Sequence, residues 1–365
     1  MNSPLLAAPG AVPADPGGPD AGVAAHYGNP FAEQRALDGG LGLVDRSHRG
    51  VIRITGPDRL SWLHSLTTQG LEHLPPGDTA EALILSPNGH IEHHLILTDD
   101  GTQLWAHVEP GTAGPLLEFL ESMRFMLRVE PADVTGEYAV LTLMGPGAGE
   151  IELGGLAAAV TRAFGTDVIV AREQLSGVAA RLQERGAVLA GTWAYEALRI
   201  ASRRPRFGLD TDHRTIPHEV GWIETAVHLS KGCYRGQETV ARVHNLGHPP
   251  RRLVFLHLDG SEDRLPAHGD PVSLAEGGGD GGGAVGFVGS AARHYELGPI
   301  ALALIKRTVP VDAPLLAAGL AAAQEVIVPP DAGANVTVTL RGARGVAPPG
   351  PARRRPQGDP ARSRE

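Results

Sequence analysis

The only cysteine of the chain, Cys233, lies in the segment Lys231-Gly232-Cys233-Tyr234-Arg235-Gly236-Gln237-Glu238. The two glycines allow backbone conformations that other residues avoid and leave the sulfur open to solvent. Two nearby cations, Lys231 and Arg235, favour the thiolate over the thiol, as do the free amides of a helix that begins near Glu238. A thiolate attacks electrophiles and binds soft metals. The pattern therefore predicts an accessible, activated thiol with Lys231 as the nearest fixed positive charge.

The same segment also has a purely structural interpretation. Free cysteine is among the most buried residue types, and a tight glycine-flanked turn needs no chemistry to explain it. Glu238 opposes an activated thiol, because a neighbouring carboxylate disfavours a second negative charge. That opposition disappears if Glu238 caps its own helix or pairs with Arg242 four residues later. Both interpretations stay open from the sequence.

A second group of polar side chains, His90, Glu92 and His94, alternates along one predicted strand and would point to the same side of a sheet. Imidazole and carboxylate groups bind zinc, but no further ligand follows nearby, and solvent-facing strands often carry such residues. We therefore predict no metal site. A single cysteine cannot hold an iron–sulfur cluster alone, since clusters need about four thiolates, so any cluster must be shared with a partner or be transient.

The elements that position these groups begin with an antiparallel meander. Residues 82–85, 91–97 and 103–108 are strand-like, and Asn88-Gly89 and Asp100-Gly101 are dipeptides that suit two-residue hairpins. A helix with one apolar face follows the third strand. Helices on one side of an antiparallel sheet predict an α+β fold.

The second half of the chain contains another helix and a series of short strands. The helix predicted over 193–202 places Tyr195 and Arg199 on adjacent turns. From about residue 251 onward, short strands separated by turns predict a small β-barrel. The glycine-rich stretch 277–283 lacks the Lys and Ser/Thr of a phosphate loop and is interpreted as a hairpin tip.

Composition limits the class of protein. The chain has 365 residues, 42% of them apolar, so two or three domains with their own cores are expected. No apolar run is long enough to span a bilayer and no export signal is evident, which predicts a cytoplasmic protein without membrane association. Pro- and Gly-rich compositions predict a disordered N-terminal tail over 1–25 and a disordered basic tail over 343–365.

Charge is unevenly distributed along the chain. The net charge is −9, but residues 199–252 contain ten Lys or Arg against five Asp or Glu, a local excess of +5. A basic zone inside an acidic protein indicates an anionic ligand bound at one place, and direct nucleic-acid binding is not expected.

The string KGCYRGQE, with TIPHEVGW upstream and ARVHNLG downstream, closely resembles the signature of YgfZ-type folate-binding proteins. These are relatives of the glycine-cleavage T-protein, an aminomethyltransferase. The resemblance extends more weakly from about Gly40 to about Val328. It implies a T-protein-like α+β fold that encloses a folate-sized cavity. In that fold two related α+β units with antiparallel sheets, 26–147 and 148–250, precede a C-terminal β-barrel, 251–342.

The resemblance also implies which residues form the site. It places Arg199 near the glutamate tail of a bound folate, with Tyr195 one turn away, and the following loop ends in Gly208-Leu209-Asp210. It gives the catalytic role to Cys233 and Lys231. Its remaining predicted folate contacts are Gly232, Tyr234, Gly236, Gln237, Glu238 and Arg242.

One departure from the T-protein pattern bears on the activity. T-proteins carry paired aspartates on the hairpin strand, and His93 and His94 stand at the matching places here. An imidazole can move a proton near neutral pH, but it cannot supply the fixed negative charge that stabilises an iminium-like cation. The chain is therefore not expected to be an ordinary aminomethyltransferase.

The predicted function is that of a tetrahydrofolate-binding accessory factor in the maturation or repair of iron–sulfur proteins. The resemblance implies that its partners are the iron–sulfur assembly machinery or client iron–sulfur proteins. Two alternatives stay open. One is a tetrahydrofolate-dependent aminomethyltransferase or demethylase, and the other is a folate-binding regulatory module without chemistry.

Overall fold

The computed structural model describes residues 1–150, 155–275 and 283–335, which form two five-stranded sheets, a closed six-stranded barrel and a two-stranded N-terminal ribbon. The predicted hairpin tip at 277–283 falls almost entirely outside the described residues, as does the predicted basic tail at 343–365. No helix in the described part of the chain is long and apolar enough to cross a membrane.

In chain order the strands are β1 (Val12–Pro13), β2 (Ala24–His26), β3 (Gly42–Asp45), β4 (Gly50–Thr55), β5 (Thr79–Leu85), β6 (Ile91–Asp99), β7 (Gln103–Val108), β8 (Glu130–Asp133), β9 (Tyr138–Met144), β10 (Ala158–Arg162), β11 (Gly165–Ala171), β12 (Val188–Ala190), β13 (Arg251–Leu258), β14 (Pro271–Leu274), β15 (Gly286–His294), β16 (Gly298–Lys306), β17 (Leu315–Ala317) and β18 (Leu320–Val326). The helices are α1 (Pro30–Gly39), α2 (Arg59–Leu66), α3 (Ala113–Ser122), α4 (Leu175–Glu184), α5 (Thr192–Ala201), α6 (Trp222–Thr225) and α7 (Gln237–Leu246). Short 3-10 turns occur at Pro4–Ala7, Pro146–Glu150, Arg172–Gln174 and Pro217–Val220.

The first sheet has the order β5-β6-β7-β4-β8, and every pairing in it is antiparallel. The predicted meander is therefore confirmed, and Gly89 and Gly101 have the positive φ that their hairpins require. Helices α2 and α3 cover one face of this sheet and bury Trp62, Leu63 and Leu116 against it. The arrangement confirms the predicted α+β packing.

The second sheet has the order β10-β11-β9-β3-β12, and it draws its strands from two separate parts of the chain. Strand β3 lies between β9 and β12, and its pairing with β12 is parallel. The predicted division between units at 147 and 148 is therefore wrong, since β3 and β9 precede it but belong to the second sheet. Alternation along one strand reveals its faces but not the distant strand with which it pairs.

The barrel closes in the order β13-β16-β15-β14-β17-β18 and confirms the predicted C-terminal β-barrel. A central apolar cluster joins it to the rest of the molecule. In that cluster Leu83 and Leu85 of the first sheet meet Ile200 of α5, Tyr234 and the barrel residue Phe255. The segment 231–238 is therefore packed where the first sheet, α5 and the barrel converge.

Residues 1–25 are folded, and the predicted disordered tail is wrong. Val23, Ala24 and Ala25 are buried, and Leu5 packs into the core of the second sheet. Asp20 is bound by His48 and Arg206, with nitrogen–oxygen distances of 3.0 and 2.8 Å. A Pro- and Gly-rich composition did not reveal these specific anchors, each of which depends on residues far along the chain.

Candidate functional site

A cavity of about 940 Å³ opens where the two sheets, α5 and the end of the barrel meet. Its walls come from the turn between β3 and β4, strands β5 and β6, the loop 202–206, the segment 218–230 and the stretch 327–335 that follows the barrel. A cavity of this volume lies at the upper end of the range of small-molecule and cofactor sites. It is the candidate functional site of the chain.

Arginine is the dominant charged residue of the cavity wall. The arginines that line it are Arg46, Arg49, Arg162, Arg199, Arg203, Arg204 and Arg206. Three glutamates, Glu81, Glu109 and Glu224, line the same cavity, so positive side chains outnumber negative ones. The basic zone predicted from the sequence therefore reaches the cavity, and the wall favours an anionic ligand.

Arg199, the predicted contact for a folate tail, is only 4% exposed and is fully engaged within the protein. Its guanidinium lies 2.8 Å from Glu196 and 2.9 Å from Asp210, and it also donates to Ser290 Oγ and to the carbonyl of Arg204. Burial alone would lower the pKa of Arg199, but the two carboxylates outweigh burial and hold the pKa above its ordinary value. Because its donors are occupied, Arg199 is better explained as a structural cation than as a ligand contact.

Arg204 differs from the other arginines of the wall. Among the described residues no carboxylate lies within ion-pair distance of it, and its guanidinium carbon lies 5.6 Å from the centre of the Phe164 ring. The side chain is half-buried at the cavity wall. An arginine that lies over an aromatic ring and whose side chain makes no hydrogen bond to a described residue is well suited to a ligand carboxylate.

On another wall of the cavity, His94 forms a close pair with Glu81. The distance from His94 Nε2 to Glu81 Oε1 is 2.7 Å, and the His94 ring stacks on Trp222 with centroids 4.4 Å apart. Burial by itself would raise the pKa of Glu81, but the hydrogen bond and charge of His94 outweigh it and lower the pKa to about 2. The pair supplies a fixed carboxylate and an imidazole beside a flat aromatic surface.

The sequence prediction included His94 but missed Glu81. The register of the β5–β6 hairpin pairs Glu81 with Ile96 and Leu83 with His94, so Glu81 and His94 are diagonal neighbours on one face. The sequence does contain a signal for this pair: residues alternate between the two faces along both strands of the hairpin that turns at Asn88-Gly89, which places Glu81 and His94 on the same face. His93 points away from that face, lies 6.1 Å from Phe119 by ring centroids, and has its pKa lowered to about 4 by burial and by Arg235.

Tyr195, the other predicted contact on α5, is buried in the cavity wall. The Arg46 guanidinium carbon lies 4.4 Å from the centre of its ring, and Phe164 packs edge-on at 5.4 Å. Tyr195 therefore belongs to the same aromatic and arginine wall as Arg204, which shares Phe164. Its predicted contact with a folate stays a prediction.

Lys231 donates its hydrogen bonds to partners other than Cys233. Its ammonium donates to the carbonyls of His64, Thr67 and Gln69, at 2.5 Å for Thr67 and 3.2 Å for Gln69. These three bonds use all of its donors and tie the loop to the end of α2. Burial lowers the pKa of Lys231 to about 8.

Arg235, the second predicted cation, also has a partner of its own. Its guanidinium lies 2.9 Å from Glu92 on β6. Both cations that were expected to stabilise a Cys233 thiolate are therefore bound to other groups, which weakens the prediction of an activated thiol. Cys233 itself is exposed, as predicted, but the loop reaches the cavity wall through residues 227–230 and not through the cysteine.

The remaining motif residues mainly shape the loop. Tyr234 is buried in the central cluster, and burial raises the pKa of its hydroxyl to about 12. Gln237 donates to the carbonyl of Lys231 at 3.4 Å and closes the turn. Gly236 has φ of +82° at the start of α7, and Gly232 is exposed. Their predicted folate contacts remain predictions.

Glu238 and Arg242 are exposed on α7, and neither lines the cavity. The described residues contain no ion pair between them of 4.0 Å or less, so the pairing that was one of two alternatives for Glu238 is not formed. Within the described ranges, no group of three or more His, Cys, Asp or Glu is arranged to hold a metal ion.

The chain is similar to known proteins in both sequence and fold. Residues 27–163 match the family described as the GCVT N-terminal domain. The fold is similar to the crystal structure of the glycine cleavage system aminomethyltransferase T from Bartonella henselae, with a TM-score of 0.73 and 18% identity over 88% of this chain and 94% of that one. The chain therefore has a T-protein-like fold.

The chain is also similar in sequence to two curated proteins. A chloroplastic protein of Arabidopsis thaliana that is named as a transferase is 28% identical over 270 residues, covering 65% of this chain and 61% of that protein. The aminomethyltransferase of Rubrobacter xylanophilus is 29% identical over 298 residues, covering 74% of this chain and 77% of that one. The chain thus spans less than two thirds of the first relative and about three quarters of the second.

Proposed function

We propose that the chain binds a reduced folate, in the tetrahydrofolate form, inside the 940 Å³ cavity. The main observation in support of this proposal is that the cavity wall has both a cationic surface and a flat aromatic surface. Arg204 has free donors for a glutamate carboxylate, while Trp222 and His94 offer a stacked flat surface for an aromatic or heterocyclic ring. A folate has one anionic end and one flat end.

We further propose that folate binding serves an accessory role in the maturation or repair of iron–sulfur proteins. Support comes from the resemblance of the 231–238 segment to the YgfZ-type signature and from the exposure of Cys233 outside the cavity. An exposed thiol on a loop that Lys231 and Tyr234 hold rigid can meet a partner surface while the folate stays inside. The partner is then the assembly machinery or a client protein in the cytoplasm.

Calorimetric titration with tetrahydrofolate and its polyglutamates tests the binding. Arg204→Ala should weaken binding by about 1.5 to 3 kcal/mol, the typical value for a charged hydrogen bond. Arg203→Ala is the matched control, because Arg203 is exposed at the same wall but already pairs with Glu325. Absence of heat for every folate at high micromolar concentration would refute the proposed function.

The second candidate function is a tetrahydrofolate-dependent one-carbon transferase, and the Glu81–His94 pair favours it. Although paired aspartates are absent from β6, Glu81 brings a carboxylate to the cavity from the neighbouring strand. A fixed carboxylate near a bound folate could stabilise a developing cation on nitrogen. This candidate differs from the first in needing Glu81 and not Cys233.

Two variants separate the candidates. In cells that lack the native protein, we expect Cys233→Ala to fail to restore the activity of cluster-dependent enzymes, while Glu81→Gln restores it. In an assay reconstituted with the other glycine-cleavage components, the transferase candidate instead requires turnover by the native protein. Glu81→Gln would then lower that turnover about a hundredfold or more. Glu224→Gln, an exposed glutamate at the same cavity, is the control in both assays.

A further inference from the structure

His218 is a buried histidine in the cavity wall for which the proposed function has so far no use. It lies on the 3-10 turn Pro217–Val220 and is 2% exposed. The turn is held on both sides of the histidine. Glu219 accepts from the backbone N–H of Ile216 at 3.1 Å and pairs with Arg251 at 2.8 Å, and Gly221 ends the turn with φ of +79°. The imidazole is therefore carried on a fixed backbone.

Neither ring nitrogen of His218 has a hydrogen-bond partner among the described residues, although both are buried. Leaving a buried polar group unpaired usually destabilises a protein, so an unpaired imidazole at a cavity wall needs an explanation. The other buried histidine of this wall, His94, is paired with Glu81. A bound molecule would supply what His218 lacks.

The protonation state of His218 limits what kind of group that molecule presents. Burial and the neighbouring His244, whose ring centroid is 6.1 Å away, lower the pKa of His218 to about 4. At neutral pH the imidazole is uncharged, with one nitrogen as donor and the other as acceptor. Either nitrogen can pair with an uncharged heterocycle, the donor with a carbonyl or ring nitrogen or the acceptor with an N–H, and the imidazole has no charge with which to hold a carboxylate.

We propose that His218 contacts the uncharged heterocyclic end of the ligand and fixes which end of the cavity it occupies. The inference rests on the proposed function, and in a reduced folate this end is the pterin ring. Trp222, four residues further along the chain, lines the same cavity, and in this orientation the anionic tail extends toward Arg204. His218 is thus a specificity-determining residue of the cavity.

Titration with two ligands tests this orientation. Tetrahydrofolate carries both the pterin and the tail, whereas p-aminobenzoylglutamate carries the tail alone. His218→Phe keeps a flat ring but removes both hydrogen-bonding nitrogens. We expect it to weaken tetrahydrofolate binding about three- to tenfold, the effect of one neutral hydrogen bond, and to leave p-aminobenzoylglutamate binding unchanged. His228→Phe is the matched control, because His228 lines the same cavity but is exposed.

Stability separates a ligand contact from a structural residue. Because phenylalanine has no polar atom to leave unpaired, the ligand-free His218→Phe protein should melt at the native temperature or above it. A joint loss of stability and of affinity for both ligands would assign His218 a structural role and overturn the proposal. Unchanged affinity of His218→Phe for tetrahydrofolate would overturn it as well, while leaving folate binding intact.

A measurement on the native protein removes any dependence on how the variant folds. With ¹⁵N-labelled histidine, tetrahydrofolate should shift the ring-nitrogen resonances of His218, because one of the two nitrogens gains a hydrogen-bond partner. p-Aminobenzoylglutamate should leave them in place. Native protein that binds tetrahydrofolate without moving these resonances would refute the contact, and native protein that binds neither ligand would refute the proposed function itself.

Discussion

Arginine has two distinct roles in the cavity wall, and the difference lies in burial and partners. Arg199 is buried between Glu196 and Asp210, so removing it would leave two carboxylates without compensation in a low-dielectric interior. Arg204 is half-buried and rests on Phe164 without an acidic partner among the described residues. A ligand anion can approach Arg204 without breaking an existing ion pair. The proposed ligand contact therefore falls on Arg204, and Arg199 holds α5 to the loop that follows it.

The same distinction applies to the cysteine segment. Residue types alone suggested that Lys231 and Arg235 act on the thiol, because both are close to Cys233 in sequence. Their charges instead satisfy the end of α2 and Glu92 on β6. Lysine and arginine side chains are long enough to reach several partners, and which partners lie near them depends on the folded structure. The sequence could therefore predict the exposure of Cys233 but not the surroundings of its sulfur.

At the level of elements, the loop and helix α7 dock onto the hairpin between β5 and β6 through two glycines. A Cβ atom at Gly236 would lie 2.6 Å from the carbonyl oxygen of Ser86 and 3.0 Å from Gly89 Cα. A Cβ atom at Gly89 would lie 2.8 Å from Thr239 Cβ. Backbones approach this closely only where both residues lack side chains. The motif glycine at 236 is thus explained by packing against the first sheet.

Replacing Gly236 by alanine should destabilise the protein by about 2 to 4 kcal/mol. Part of the effect comes from placing a side chain at φ of +82°, and the rest comes from the clash with Ser86. Gly232→Ala is the control in the same loop, because no atom lies within 4 Å of its added Cβ. The free energy of unfolding of both variants is measured by urea denaturation. Equal stabilities for the two would show that the docking of α7 does not depend on the close approach.

Local sequence patterns predicted most of the strands and helices but not how they assemble into sheets. Alternation and the two hairpin dipeptides located β5, β6 and β7. Short strands such as β12, with three residues, carry too few positions for a periodic signal. The cavity itself was expected only from the resemblance, since its walls come from segments that are far apart in sequence.

Across the whole molecule, assembly depends on contacts between segments that are far apart in the sequence. Strand β3 of the second sheet precedes every strand of the first sheet in the chain, and β9 then returns to the second sheet. The N-terminal segment then reaches the floor of the cavity, where Arg206 binds Asp20, Glu109 and Glu196 at 2.8, 2.8 and 3.3 Å. Asp20 therefore fastens the first residues of the chain to the loop that forms the arginine wall.

Asp20→Asn should loosen the N-terminal segment and destabilise the protein by about 1.5 to 3 kcal/mol at pH 7. Burial alone would raise the pKa of Asp20, but the hydrogen bonds and charges of His48 and Arg206 outweigh it and hold the pKa well below its ordinary value of 3.8. A carboxylate with a depressed pKa stabilises the fold above the unfolded value, and this contribution is lost as the pH falls below it. The stability difference between native protein and variant should therefore be full from pH 7 to 5 and shrink as the pH falls below about 4.

Urea unfolding across this pH range, together with limited proteolysis at pH 7, measures the effect. We expect proteases to cut the variant near residue 20 faster than the native protein, because the released segment can enter a protease active site. Asp15→Asn is the control, since Asp15 is exposed and its carboxylate accepts a hydrogen bond from the nearby Gly17 amide. A stability difference that stays constant down to pH 3 would contradict the ionic anchor. It would mean that the apolar contacts of Leu5 and Val23 alone hold the first residues in place.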